Sequence, residues 1–258
     1  MNCIVCIACV PDTASIIKIG PDGKHIDETG IKWIVSPYDE YALEEALKIT
    51  EAKGGEVTVV TFGPDRAEAA LRDCLARGAH KAIHVRGGEA SLGDSFTIAS
   101  VLAAAIKGLS YDLILVGFKG VGTDNGQVGQ MLAELLGIPH CANVLTLEMG
   151  DGVLTAGRDV EGGREMVSSP LPALLTCQKG LNEPRYAALK GIMAAKKKPI
   201  QMKDATALGL GPTDVSPRIR ATAMELPPAR PPVRMIEGDP QTQATELIRL
   251  LHEEAKVI

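Results

Sequence analysis

Residues 112–117 read Asp-Leu-Ile-Leu-Val-Gly, and residues 118–130 continue as Phe-Lys-Gly-Val-Gly-Thr-Asp-Asn-Gly-Gln-Val-Gly-Gln. The first part is an apolar run and predicts a buried strand. The glycine-rich part leads into an apolar helical pattern over about 126–137. A strand, a glycine-rich turn and a helix in direct succession are typical of an α/β protein with a parallel sheet.

The same alternation of strand and helix patterns fills the first half of the chain. Further strands are predicted at 2–9, 56–62 and 81–86, and further helices at 38–53, 65–77 and 95–108. Strands that are apolar almost throughout indicate a sheet covered on both faces. We therefore expect an α/β fold with a doubly wound, mostly parallel sheet of the Rossmann type.

The pattern changes after Pro139. Residues 143–149 and 153–159, separated by Gly-Asp-Gly at 150–152, predict a hairpin, and residues 171–177 predict another buried strand.

A different composition marks the C-terminal part. Residues from about 200 to 237 contain six prolines and no long apolar period, whereas residues 240–256 regain a helical stripe. We expect one α/β domain over residues 1–199. An extended arm over residues 200–258 would follow, its final helix packing on a partner subunit.

Composition excludes several classes of function. With 45% hydrophobic and 23% charged residues the chain is an ordinary globular protein, and its net charge of −5 provides no basic field for nucleic acid. The N-terminus lacks a secretory signal pattern, and no apolar run approaches the roughly 20 residues that cross a bilayer. We expect a cytoplasmic protein without direct membrane insertion.

Six cysteines raise the question of a disulfide framework or a metal cluster. Without a secretory signal, irregularly spaced cysteines argue against disulfides. Cys3, Cys6 and Cys9 imitate part of a ferredoxin motif. Along a strand, however, Cys6 points away from the other two, so the three thiols are expected to pack in the core rather than bind a metal.

Catalytic machinery is not indicated by the sequence. The five histidines are scattered without metal-ligand spacing, and the Ser168-Ser169 pair lacks the context of a nucleophile elbow. We predict no catalytic residue and no metal ligand.

The glycine-rich turn is a candidate anion site. Gly120, Gly122 and Gly126 permit close backbone approach, and the helix that follows presents free N–H groups to a phosphate. Two other loops, at 10–13 and 62–65, leave the same predicted sheet edge. The alternative is a connection whose glycines only allow a tight turn. Three converging turns favour a nucleotide cleft.

Two further stretches carry a resemblance to a known family. Residues 181–200 read Leu-Asn-Glu-Pro-Arg-Tyr-Ala-Ala-Leu-Lys-Gly-Ile-Met-Ala-Ala-Lys-Lys-Lys-Pro-Ile. Residues 158–167 form an acidic turn with paired glycines, which a Pro-led apolar strand follows. Read from the residues alone, this stretch predicts a hairpin whose turn is Gly162-Gly163. These stretches resemble the partner-recognition loop and the signature of the electron-transfer flavoprotein β subunit, and the resemblance covers about residues 1–200. It implies an adenine-nucleotide-binding, Rossmann/HUP-like domain with a C-terminal arm.

The resemblance implies a set of cofactor-binding positions. They are Cys6 (through its backbone), Ser36, Phe62, Gly63, Asp124, Asn125, Gly126, Gln127, Val128 and Gly129. The family commonly has Asn at the position of Ser36 and a small residue at that of Phe62. The loop 124–129 is therefore the firmest of the expected contacts.

The identity of the nucleotide stays open, because members of the family hold one of two different nucleotides in this cleft. Ordinary members hold AMP as a structural ligand in this cleft, whereas electron-bifurcating members hold a second FAD. The stretches at 10–13 and 36–44 resemble the bifurcating branch, and the recognition stretch resembles the ordinary branch. We expect AMP in this chain and FAD mainly on the α subunit, with a second FAD as the alternative.

The resemblance also implies docking residues. Leu189 would enter an apolar pocket on an acyl-CoA dehydrogenase-type flavoenzyme, with Arg185, Tyr186, Lys196 and Lys197 as further partner-docking residues. Asp159 would pair with an arginine of the mobile flavin domain. The alternative interpretation makes Ile192 and Met193 core residues.

The expected function is thus that of the β subunit in a heterodimeric electron carrier without substrate turnover of its own. It would pass electrons from acyl-CoA dehydrogenase-type enzymes to a membrane quinone oxidoreductase. One alternative is an electron-bifurcating oxidoreductase component. Another is a stand-alone adenine-nucleotide-binding module of the stress-protein type.

Overall fold

A computed structural model describes residues 1–88 and 94–258. The described residues form two compact units, Met1–Met224 and Glu225–Ile258. The first unit is α/β, with a mostly parallel sheet of nine strands in its described part, as the sequence predicts. No helix in the described ranges is long and apolar enough to span a bilayer.

The central sheet follows the order β11-β5-β4-β1-β6-β10-β7-β8-β9. All pairings from β11 to β7 are parallel, and the last two, β7 with β8 and β8 with β9, are antiparallel. The strands are β1 Cys3–Cys6, β4 Val57–Gly63, β5 Lys81–Arg86, β6 Leu113–Gly117, β7 His140–Met149, β8 Val153–Val160, β9 Gly163–Pro170, β10 Ala173–Cys177 and β11 Ile200–Lys203. A separate pair consists of β2 Cys9–Pro11 and β3 Trp33–Val35.

Helices cover both faces of the sheet. Residues of α1 and α2 pack in one apolar cluster and residues of α3 and α4 in the other, with the sheet between them. The helices are α1 Pro37–Lys53, α2 Ala67–Arg77, α3 Ser95–Ile106, α4 Val128–Leu136, α5 Leu189–Ala195 and α6 Pro240–Leu250. Near-continuous burial of β1, β4 and β10 is the consequence.

The first strand is shorter than the predicted 2–9. It ends at Cys6, and residues 9–11 pair with β3 instead. The chain leaves the central sheet because the N–H of Ala8 donates to the Asp39 carboxylate and its carbonyl accepts from Ser36 N–H. Cys3 and Cys6 still face opposite clusters, as the alternation predicts. No metal-binding group of His, Cys, Asp or Glu occurs in the described ranges.

Strand β9 completes the second hairpin, which the sequence predicts at Gly162-Gly163; its turn lies one residue earlier. The turn at Glu161-Gly162 connects β8 to a third antiparallel strand, so the predicted hairpin is part of a three-stranded meander. The following strand β10 then inserts between β6 and β7.

The beginning of the predicted arm belongs to the first unit. Strand β11 extends the sheet beside β5, and Arg218 N–H donates to the Asp94 carboxylate at the start of α3. In the second unit, Asp239 caps α6 by accepting from two backbone N–H groups, and no residue of that helix is buried. Packing of this helix on a partner subunit stays a prediction.

Candidate functional site

The carboxyl ends of β1 and β6 lie side by side at the point where the strand order reverses. From β1 the chain continues to β4 on one side, and it returns to β6 on the other. In doubly wound sheets, ligands bind outside the strand ends at such a switch point. The loops after β1, β4 and β6 all leave this rim, and together they define the cleft discussed below.

The loop after β6 has a defined backbone shape. Gly122 and Gly126 have φ values of 95° and 58°, and Asp124 adopts a left-handed φ of 51°. Asp124 N–H donates to the Gly120 carbonyl at 2.9 Å, and its carboxylate accepts from Lys119 Nζ at 3.0 Å. This loop contains the predicted contacts Asp124, Asn125 and Gly126. The structure therefore places them together at the rim of the cleft.

Helix α4 starts directly after this loop with its first-turn N–H groups uncapped by any side chain of Gln127. Gly129 lies against the sheet, where a Cβ would come within 2.6 Å of Thr176 Cγ2 and 2.8 Å of Val116 Cγ2. Close packing thus fixes the helix start, and Val128 and Gly129 fall in its first turn. Such a start attracts an anion.

The remaining predicted cofactor residues are all buried, and they lie on β1, at the start of α1 and on β4. Ser36 is fully buried at the start of α1, and its Oγ has no hydrogen-bond partner among the residues that the structure describes. Phe62 and Gly63 end β4 and are buried. The Cys6 thiol faces the α3 and α4 side, where burial raises its pKa. Only its backbone is therefore suited to the predicted role.

Sequence reasoning missed Asp39 at this rim. Its carboxylate accepts from Ala8 N–H at 2.7 Å and from Gly117 N–H at 2.8 Å, and the residue is 7% exposed. Burial raises the pKa of this carboxyl to about 7. An acidic residue in the first turn of a helix is ordinary, so no signal in the sequence distinguishes it.

A second candidate surface is the recognition segment, defined here as residues 181–199. Tyr186 is 93% exposed and Leu189 75%, and Ile192 and Met193 are exposed beside them. The interpretation that Ile192 and Met193 are core residues is therefore wrong. The apolar side chains project outward from the short helix α5.

This segment is anchored to α1 and α2 although its tip is exposed. Arg185 donates from Nε to Glu44 at 2.8 Å and from Nη2 to Glu51 at 3.0 Å. Arg72 Nη1 donates to the carbonyl of Ala195 at 2.9 Å. A Cβ on Gly191 would overlap the Ala76 carbonyl, which shows how closely α5 lies against α2.

The predicted docking residues thus divide into two groups. Tyr186, Leu189, Lys196 and Lys197 are exposed. The guanidinium of Arg185, by contrast, is already engaged by two carboxylates of α1. Its docking role stays a prediction, and the geometry adds a role in positioning the segment.

Asp159 lies on the exposed meander. Its carboxylate accepts from Arg164 Nε at 2.9 Å across β8 and β9. A partner arginine would have to share or replace this exposed pair, and such pairs contribute little to stability.

Comparison with known proteins identifies similar sequences. Residues 24–208 match the family model described as "Electron transfer flavoprotein domain". The chain is 41% identical to the electron transfer flavoprotein subunit beta of Bacillus subtilis (strain 168) over all of both chains. Identity to the subunit of the same name from Syntrophomonas wolfei is 37%, covering all of this chain and 98% of that one. The caffeyl-CoA reductase–Etf complex subunit CarD of Acetobacterium woodii is 38% identical over 82% of this chain and 81% of its own.

Proposed function

The chain belongs to the electron transfer flavoprotein β-subunit family, and from this premise we propose that it serves acyl-CoA dehydrogenase-type flavoenzymes as half of an electron carrier. Its partner is an α subunit that holds most of the FAD, and the electrons pass on to a membrane quinone oxidoreductase. The FAD supplies the redox chemistry. This chain supplies a docking surface and a structural nucleotide site, which position the cofactor rather than perform its chemistry.

The exposed, anchored tip at Leu189 is the observation that carries the proposal. An isolated chain gains nothing from holding Tyr186, Leu189 and Met193 in water on a fixed support, since burial would stabilise them. Anchors at both ends of the segment, on α1 and α2, reduce the entropy lost when the tip docks. Burying one leucine contributes about 1.5–3 kcal/mol, which suits a complex that must dissociate again.

An adenine nucleotide fits the cleft described above. The first turn of α4 and the glycine-rich loop offer backbone N–H groups to a phosphate. The buried Ser36 Oγ lacks a partner within residues 1–88 and 94–258, and such an atom is usually explained by a water, an ion or a ligand. We propose AMP as the nucleotide, with Ser36 and the loop 124–129 as its principal contacts.

A second candidate is a bifurcating carrier with FAD in the same cleft. The likeness to CarD favours it, because that relative is named as part of a reductase complex rather than as a simple carrier subunit. Family membership itself favours either carrier over a stand-alone adenine-nucleotide-binding module.

Co-expression with the α subunit tests these alternatives. Acid release from the purified heterodimer followed by chromatography counts FAD and AMP. One FAD and one AMP are expected. Two FAD would replace the ordinary carrier by the bifurcating one, and the absence of a copurifying α subunit and of flavin would refute the carrier function.

A further inference from the structure

The buried carboxylate of Asp39 is the best-defined polar group at the cleft with no role in the site described above. It lies in the first turn of α1, between the ends of the two strands that border the switch point. One oxygen accepts from Ala8 N–H at 2.7 Å and the other from Gly117 N–H at 2.8 Å. Ala8 lies in the loop after β1, and Gly117 is the last residue of β6, directly before the other loop.

We propose that Asp39 is a positioning residue of the nucleotide site, holding the loops after β1 and β6 at a fixed separation through these two hydrogen bonds. The proposal rests on the proposed function, because it requires that a nucleotide binds in the cleft between these two loops. Asp39 itself is not assigned a contact with the nucleotide.

The approach of α1 to β6 supports this assignment. A Cβ on Gly117 would overlap Asp39 Oδ1 and would come within 2.8 Å of the Tyr38 Cβ and 2.9 Å of the Asp39 nitrogen. The helix start therefore touches the strand end directly. A further bond from Ser36 N–H to the Ala8 carbonyl, at 2.9 Å, fixes the other side of the same turn.

Both oxygens of Asp39 accept most strongly when the carboxyl is ionised, because protonation turns one of them into an O–H donor and weakens it as an acceptor. Burial is the main cause that raises its pKa to about 7, and Glu40 adds to the increase. The other titratable groups that interact with it are the thiols of Cys6 on β1, Cys74 on α2 and Cys177 on β10. Burial raises the pKa of each thiol, so these stay neutral.

The experiment compares two aspartate carboxylates that accept hydrogen bonds from backbone N–H groups at β1 and β6. Asp112 Oδ2 accepts from Asn2 N–H at 2.7 Å, at the opposite ends of β6 and β1. Asp39→Asn replaces one oxygen by an amide donor facing a backbone N–H, which removes one bond at the cleft. Asp112→Asn makes the same change away from it and serves as the matched control.

The dissociation constant for AMP is measured by calorimetry on nucleotide-free heterodimer between about pH 6 and about pH 8. At the upper end we expect Asp39→Asn to weaken binding about tenfold, as for loss of one hydrogen bond to a charged group. On acidification, the affinity of the wild type for AMP should fall by a larger factor than the affinity of the Asp39→Asn variant. The phosphate of AMP titrates near pH 6 in both proteins, so its effect cancels in the difference. Asp112→Asn should behave as the wild type.

Equal affinity and equal pH profiles of wild type and Asp39→Asn would overturn the inference while leaving the nucleotide site intact. A wild-type heterodimer that binds no AMP would refute the AMP site and the inference together. If Asp39→Asn does not assemble, adenosine replaces AMP as a probe without a titrating phosphate. Wild-type affinity that is then independent of pH would also overturn the proposal.

Discussion

The nucleotide cleft and the recognition segment are built in opposite ways. Backbone groups from strands far apart in sequence form the cleft, and a buried carboxylate of raised pKa joins two of them. The recognition segment is one continuous stretch whose apolar tip is exposed and whose Arg185 side chain pairs with the Glu44 carboxylate of α1. Changes of pH or of packing at the cleft should therefore alter stability and nucleotide binding. Substitutions at the exposed tip of the recognition segment should alter docking and leave stability unchanged.

The largest expected effect concerns Asp39 and stability. Its folded-state pKa of about 7 lies above the value of 3.8 for an exposed aspartate, so the folded protein binds the extra proton. The contribution of this group to stability is greatest below about pH 4 and is lost as the pH rises to about 7. The full loss is about 4 kcal/mol.

Urea unfolding of the heterodimer over this pH range measures that loss as a difference between wild type and Asp39→Asn. As the pH rises, only the wild type should lose the stability that the protonated Asp39 carboxyl contributes. Parallel stability curves for the two proteins would contradict the raised pKa.

Leu189→Ala should have the next largest effect, on docking alone. The side chain is exposed in the free chain, so unfolding should be unchanged. Lost burial in the complex is worth about 1.5–3 kcal/mol, or about ten- to a hundredfold in the apparent KM of the dehydrogenase for the carrier. Ile219→Ala, at another exposed apolar position, is the control. Equal KM values for the two variants would refute the docking role.

Gly129→Ala tests the close packing at the start of α4. The new Cβ would lie 2.6 Å from Thr176 Cγ2, and overpacking of this kind costs about 1–3 kcal/mol. Nucleotide content should fall because the first-turn N–H groups shift. Gly137→Ala at the other end of α4 meets no atom of the described residues within 4 Å, although its φ of 67° is strained. Nucleotide loss from both variants alike would point to general destabilisation instead.

The smallest effect is expected at Lys196 and Lys197, both exposed. Changing both to Gln should slow association with an acidic partner about two- to threefold at low salt, and less at high salt. Stopped-flow association rates at two ionic strengths measure this. The pair Lys18→Gln and Lys107→Gln changes the same charge elsewhere on the surface, and an equal effect there would exclude local steering.

Much of the fold follows from local pattern. The strands around residues 57–62, 81–86 and 113–117 and the helices between them lie where apolar spacing predicts them. The glycine-rich loop and the recognition segment are also evident, because each is a continuous run with unusual composition. Boundaries were less reliable, as β1 shows: its end depends on hydrogen bonds to Ser36 and Asp39, which no local pattern contains.

Strand β9 is indicated by the turn before it rather than by its own residues. Its residues are mostly exposed and polar, with the sequence Gly-Arg-Glu-Met-Val-Ser-Ser-Pro. Pairing with β8 makes it a strand, since every residue of the run aligns with one on its neighbour. Propensity alone does not indicate such an edge strand.

The amino-acid sequence alone determined the fold class, the family resemblance and the chemical character of the two surfaces, because these depend on periodicity and on residues adjacent in the chain. Tertiary structure alone decided that β10 enters the sheet beside β6, that Arg185 is held by α1 and that the Asp39 carboxylate joins Ala8 to Gly117. These contacts link residues tens of positions apart. Their energies come from burial and geometry, which exist only once the chain has folded.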